Sequence, residues 1–170
     1  MLTFFKLLRE TFQREARRDS FLANASSVLS DETNLLFVYG SLMRGMERAA
    51  FMSNVDKARF VATGSVTGVL YDTGAFPGMK EDDGTSLVQG ELYELLDPIT
   101  FFETLDLIEG YWPEQPERSL FVRKRVVART AAGEQTAWAY ILNQALADAK
   151  PIPSGDYRQC PGESTLAELE

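Results

Sequence analysis

Leu35-Leu36-Phe37-Val38-Tyr39-Gly40-Ser41-Leu42 is an apolar run that halts at a glycine and then turns polar. β-Branched and aromatic residues bounded by Gly-Ser predict a buried strand, and the glycine frees the exit loop from Cβ constraint. Such a loop can bring successive main-chain N–H groups to a small ligand, because a tight turn of this kind forms a concavity that favours carboxylates and other anions. A core strand followed by an ordinary turn accounts for the same residues, so the stretch alone leaves both readings open.

On its N-terminal side, Met1 to about Leu22 carries Leu2, Phe5, Leu8 and Phe12 at helical spacing, with Lys6, Arg9, Arg14, Arg17 and Arg18 interleaved. This is the pattern of an amphipathic helix, whose apolar face must cover the domain, meet a second copy of the chain, or touch a membrane surface. Glu10, Glu15 and Asp19 dilute the basic face, which favours packing on the domain or homo-oligomerisation over lipid. Asn24 to Asn34 is rich in Ser, Asn and Thr and reads as a linker. The expected organisation is a helix and linker over 1–33, a domain over 34–158 and a polar tail over 159–170.

On its C-terminal side, Glu47 to Ser53 fits a short helix, and Arg44 and Arg48 fall on or beside the loop. Either one of these arginines faces a substrate carboxylate, or both are solvated surface residues. Ala58 to Tyr71 alternates loosely, interrupted by Gly64 and Gly68, as one long bent strand or two strands with a bulge would. Phe76-Pro77-Gly78-Met79 has the composition of a turn. Leu87 to Leu95, Leu120 to Arg129 and Gln135 to Asn143 read as three further strands, the last two separated by a turn at Gly133. Pro151 to Glu170 is polar, with Gly155-Asp156-Tyr157 as a segment able to fold back on the domain.

Between these strands, Asp97-Pro98 opens a helix, with Asp97 as the N-cap and Pro98 at the first helical position. Ile99, Phe102, Leu105 and Ile108 predict its packed face, and Gly110 predicts its stop. Glu109 then ends the helix, where the partial negative charge of the C-terminus opposes an ionised carboxylate and raises its proton affinity. A plain surface glutamate at a helix end is the other reading. Strands with short helices between them predict an α+β domain.

The chain has 170 residues, a net charge of −8, no histidine and one cysteine, Cys160. A chain this long supports one domain with a proper core, and its acidity argues against nucleic-acid binding. Without histidine there is no Ser-His-Asp or Cys-His catalysis and no His-based zinc site, so carboxylate, hydroxyl, lysine and backbone chemistry remain. Asp82-Asp83-Gly84 lacks the further acidic spacing of a calcium loop, and no metal is expected. One cysteine suits a reducing cytoplasm, and neither a membrane span nor a secretory leader is expected from the hydropathy.

Tyr39-Gly40-Ser41-Leu42 near the start and Leu105-Asp106-Leu107-Ile108-Glu109-Gly110 in the second half together resemble the γ-glutamylcyclotransferase-like family, in particular its γ-glutamylamine cyclotransferase and AIG2-like branch. The resemblance runs from about Leu35 to Tyr157 and takes in Phe76-Pro77-Gly78, Gly90-Glu91-Leu92-Tyr93 and Phe121-Val122-Arg123. It implies a small mixed β-barrel with peripheral helices, to which the N-terminal amphipathic helix is added.

The resemblance also implies a cofactor-independent, metal-free enzyme acting on a small-molecule γ-glutamyl substrate. Glu109 aligns with the family's catalytic glutamate. The backbone of Tyr39, Gly40, Ser41 and Leu42 aligns with the cradle for the substrate's α-carboxylate and amino end. In this chemistry the α-amine attacks its own γ-carbonyl carbon, closing 5-oxoproline and expelling an amine, with one carboxylate moving the proton. The Tyr39 hydroxyl either donates a hydrogen bond there or is simply packed. Where many relatives carry Tyr-x-Arg, this chain has Phe121-Val122-Arg123. A non-catalytic module binding a small metabolite or a partner through the same cavity is the alternative function.

Overall fold

The computed structural model describes residues 33–53 and 57–160. The helix expected over Met1 to Leu22 and the far end of the polar tail lie outside the described residues. Strand β1 (Leu35–Val38) pairs antiparallel with β5 (Leu87–Leu95), setting Phe37 opposite Leu92 and Val38 opposite Glu91. β5 pairs with β2 (Ala58–Thr67), β2 with β6 (Phe121–Thr130), and β6 with β7 (Gly133–Leu142). β7 returns to β1 in the parallel sense through Trp138 and Leu36, closing a mixed barrel in the order β1-β5-β2-β6-β7. Closure removes the edges that an open five-stranded sheet would expose. The expected α+β architecture with a small mixed barrel is the one that forms.

Two devices bend the sheet. The β2–β5 register shifts between Phe60 and Ala62, a bulge that tightens local twist. Further along, a Cβ on Gly64 would lie 2.7 Å from the Arg129 carbonyl oxygen, so only glycine lets β2 approach β6 closely there. The long segment from Ala58 is thus two strands, β2 and β3 (Val69–Asp72). Phe37, Leu92 and the small Ala128, Ala137 and Ala139 are almost wholly buried. Each large apolar side chain among them contributes about 1.5–3 kcal/mol on burial.

Phe76 to Met79 is not the turn its composition predicts. Pro77–Lys80 is strand β4, paired with β3 through Pro77 and Asp72 and through Met79 and Leu70, in a second sheet of order β4-β3-β8 with β8 at Lys150–Pro151. Pro77 opens an edge strand, where its missing N–H costs no ladder bond. Gly78 admits the Leu142 side chain, whose Cδ2 stands 2.6 Å from the position a Cβ would take. The real turn is earlier: Gly74, at φ +84, donates its N–H to Asp72 Oδ1, at 2.7 Å.

Among the described residues, α-helices form at α1 (Ala49–Met52) and α2 (Pro98–Ile108). Residues Phe101, Phe102, Leu105 and Asp106 are buried on α2, whereas Ile108 is 41% exposed. A strict three-residue step falls behind the 3.6-residue turn and drifts off the face. The buried stripe follows i, i+3, i+4, i+7, running Phe102, Leu105, Asp106, Glu109. Past β8, the Ile152 N–H reaches the Leu70 carbonyl and the Gln89 N–H reaches the Gly155 carbonyl, both at 2.8 Å. The tail expected to be polar from Pro151 therefore begins as structure, folded back through Gly155 with Ile152, Tyr157 and Cys160 buried. Among the described residues, no helix is long and apolar enough to cross a membrane.

Candidate active site

The site begins with how α2 starts and stops. Asp97 accepts the Thr100 N–H at 3.3 Å, satisfying one orphan donor of the first turn. At the other end, Tyr111 N–H bonds the Asp106 carbonyl at 2.8 Å and Gly110 N–H the Leu107 carbonyl at 3.4 Å. With Gly110 at φ +61, this is a Schellman stop, and the left-handed residue carries no Cβ penalty. Glu109 is thereby the C-cap, one residue before the chain turns away and still on the buried stripe. The following loop comes straight back, since Leu120 N–H bonds the Gly110 carbonyl at 3.0 Å and Trp112 N–H bonds Ser119 Oγ at 2.8 Å.

The half-buried Glu109 carboxyl has its pKa raised to about 7. Loss of solvent is the main cause; the Arg48 guanidinium opposes it and the Asp106 carboxylate adds to it. At neutral pH such a group gives and takes protons with nearly equal ease.

Beneath Glu109, Asp106 is buried and held from two sides. Tyr140 O–H donates to Asp106 Oδ1 at 2.5 Å, and Arg123 Nη1 stands 3.4 Å from the same oxygen. Arg123 and Tyr140 are register partners across β6 and β7, so both project to one side of the sheet. The Arg123 guanidinium also lies over the Phe102 ring at 4.0 Å. Burial raises the Asp106 pKa, while Arg123 and Tyr140 pull it down.

At the exit of β1, Tyr39 is fully packed, and its hydroxyl donates to the Tyr140 carbonyl at 2.6 Å while accepting Met79 N–H at 3.2 Å. Burial pushes the Tyr39 phenol far up, and the charge on Glu109 adds to the effect. The hydroxyl of this packed side chain is thus engaged with the protein's own backbone. Gly40 makes room for Pro77, whose Cγ stands 2.5 Å from where a Cβ would be. The loop then turns through a Met43 N–H to Gly40 carbonyl bond at 3.0 Å, and Arg48 N–H ties back to the Ser41 carbonyl at 2.9 Å. Among the described residues, the main-chain N–H groups of Ser41 and Leu42 have no acceptor.

Tyr39 and Arg48, at the two ends of this loop, both interact electrostatically with Glu109. The carboxylate is thus within charge range of the segment that carries Gly40, Ser41 and Leu42. The two arginines divide: Arg44 is taken by Glu91, and Arg48 is the one whose charge reaches Glu109.

Four residues carry structure here that the sequence alone does not mark as functional. Glu91, Arg123 and Tyr140 are buried members of strands, and Asp106 was visible only as part of a motif. A signal existed for Glu91: a carboxylate inside Gly90-Glu91-Leu92-Tyr93, on the side of the strand shared with Tyr93. Arg123 offered a weaker one, because alternation puts it on the same face as Phe121.

Several solved structures share this fold. YkqA of Bacillus subtilis aligns at 22% identity with a TM-score of 0.57, over 74% of this chain and 39% of that one. The chain thus spans about two fifths of YkqA. A protein specific to uropathogenic Escherichia coli aligns at 24% identity with a TM-score of 0.55, over 74% and 92% of the two chains. A mouse AIG2-like protein aligns at 20% identity with a TM-score of 0.53, over 66% and 79%. A comparison with curated proteins finds no match. Residues 36–159 match the family described as gamma-glutamyl cyclotransferase, AIG2-like, and span every element from β1 to the last turn. With the barrel, the Tyr39 loop and the α2 stop in one chain, this protein belongs to the gamma-glutamyl cyclotransferase, AIG2-like family.

Proposed function

We propose that this protein is an enzyme that releases 5-oxoproline from a γ-glutamylamine or related γ-glutamyl compound, with Glu109 as general base and then general acid. The substrate's α-nitrogen forms a bond to its own γ-carbonyl carbon as the bond from that carbon to the leaving amine breaks. Two protons leave the α-nitrogen, one from the ammonium before attack and one as the lactam nitrogen forms; Glu109 takes them in turn and passes them to the departing nitrogen, which leaves as an ammonium, so no water, metal or redox partner is consumed. At neutral pH the attacking amine is mostly protonated, which is why a base is needed.

What supports this reading is a half-buried glutamate whose pKa burial raises to about 7, within charge range of Arg48, together with a loop whose Ser41 and Leu42 N–H groups have no acceptor among the described residues. Two adjacent free amides suit the substrate's α-carboxylate. Holding both ends of the glutamyl chain places nitrogen and carbonyl side by side, and orientation supplies much of the rate of such an intramolecular step.

The test is product analysis with a panel of γ-glutamylamines, including free γ-glutamyl-ε-lysine, together with γ-glutamyl dipeptides and glutathione. Equimolar 5-oxoproline and free amine from at least one member supports the reading. Glutamate in place of 5-oxoproline, or binding without any product, contradicts it; the latter result assigns the fold to a non-catalytic ligand-binding role.

A further inference from the structure

A second carboxylate, outside the proton-transfer chemistry, is built into the loop. Glu91 lies on β5 directly opposite Val38, the last residue of β1, and is 1% exposed. A carboxylate that deep needs partners for both oxygens. Its Oε2 accepts the main-chain N–H of Arg44 and the hydroxyl of Tyr93, each at 2.9 Å, and its Oε1 accepts Arg44 Nε at 3.1 Å. The Arg44 side chain is 54% exposed, and its guanidinium carbon sits 3.6 Å from the centre of the Phe60 ring. One residue of the loop is therefore clamped by its backbone, its guanidinium and the aromatic surface under it.

Arg44 is the first residue after Ser41, Leu42 and Met43, so the clamp sets where the unpaired N–H groups of Ser41 and Leu42 point. The other end of the loop is fixed by Gly40 against Pro77 and by the Tyr39 hydroxyl. The loop has anchors of its own in the buried Leu42 and Met43 and in the bonds Met43 N–H to Gly40, Met46 N–H to Met43 and Arg48 N–H to Ser41, but none of them fixes Arg44, and the left-handed Gly45 follows at φ +80. An alternative arrangement in which the Arg44 side chain extends into solvent would take the guanidinium from Oε1 and leave the buried Glu91 with the Arg44 N–H and the Tyr93 hydroxyl on Oε2 alone, a penalty that favours the closed clamp.

We propose that Glu91 is a positioning residue that holds the Gly40–Arg44 loop in its ligand-binding form, acting through Arg44 and never touching the ligand. The proposal rests on the reading of this loop as the cradle for the substrate's α-carboxylate. A loop that binds the same group in ground state and transition state affects KM more than kcat. The variants are Glu91→Gln, which keeps an acceptor but loses the charge, Glu91→Leu, which removes both, and Arg44→Met, which removes the guanidinium but keeps the N–H to Glu91.

Each variant is measured for 5-oxoproline release and for backbone hydrogen exchange at the bonded N–H groups of the loop, Met43 and Arg44, against exchange in β5 and β7. The expected result is a KM about tenfold higher in Glu91→Gln and higher still in Glu91→Leu, with kcat within about threefold. Exchange is expected to quicken in the loop alone, with Arg44→Met intermediate. Unchanged KM and unchanged loop exchange in Glu91→Leu overturns the proposal. So does exchange that quickens throughout the barrel while kcat and KM worsen together, since that marks Glu91 as a general stabiliser. If the wild type releases no 5-oxoproline from any substrate, the enzymatic reading has failed by itself. Loop-restricted exchange in Glu91→Leu then still upholds the positioning role, and its absence still overturns it.

Discussion

The Tyr39 hydroxyl donates to the Tyr140 carbonyl at 2.6 Å, joining the end of β1 to β7. Main-chain pairing across that seam is short, with Leu36 opposite Trp138 as the register pair. A side-chain bond therefore helps to close the barrel at the end where the Gly40–Arg44 loop leaves β1. The same oxygen accepts Met79 N–H from the edge strand β4, so one hydroxyl ties together both sheets.

Tyr39→Phe removes that oxygen and leaves a buried N–H and a buried C=O without partners. The expected cost is about 2–4 kcal/mol, since each buried polar group left unpaired costs roughly 1–3 kcal/mol. Denaturant unfolding measures it. A variant as stable as the wild type contradicts the role given to this hydroxyl.

The ion pair of Asp106 and Arg123 predicts a different pattern. Arg123→Met strands a buried carboxylate and should cost about 3–5 kcal/mol, whereas adding Asp106→Leu should restore part of that loss. A double-variant cycle by chemical denaturation gives the coupling. Strict additivity would mean that the two groups do not depend on each other.

Stability should respond to pH through Glu109. Its folded pKa is raised to about 7 from an ordinary value of 4.5. Its contribution to stability is therefore full below pH 4.5 and is lost as pH rises through 7. Glu109→Gln has no such loss, so its Tm relative to wild type should be higher at pH 8 than at pH 4. Because solvent reaches the half-buried carboxylate, the differential is about 1 kcal/mol, or roughly 2–4 °C. A difference in Tm that does not vary with pH contradicts the raised proton affinity.

Turnover should follow the same group. The base form of Glu109 is needed, so kcat/KM should rise with pH along a limb centred near 7. Arg48 stabilises the ionised form, so Arg48→Met should move that limb to higher pH. A limb that stays in place in this variant contradicts the coupling between Arg48 and Glu109.

Much of the fold is legible in the chain because its signals are local. The β1 run, the alternation in β5, β6 and β7, and the Asp97-Pro98 start and Gly110 stop of α2 each follow from a few adjacent residues. What is not legible depends on partners distant in sequence. Pro77-Gly78 reads as a turn until Leu142 is known to fill the space above the glycine. Ile108 reads as buried until the stripe of α2 is seen to follow 3.6 residues per turn. At the site, Glu109 and the Tyr39 loop are visible through motif and resemblance. The clamp of Glu91 on Arg44 and the support of Asp106 by Arg123 and Tyr140 span dozens of residues, and no local pattern encodes such pairings.

The central claim is that Glu109 carries the proton in a cyclisation that makes 5-oxoproline. The most direct measurement is kcat for 5-oxoproline release by wild type and Glu109→Gln on the best γ-glutamylamine of the panel, with folding of the variant verified by its Tm. The account predicts a loss of about 10²–10⁴-fold, the usual contribution of a general acid–base group. A folded Glu109→Gln that retains wild-type turnover would contradict it.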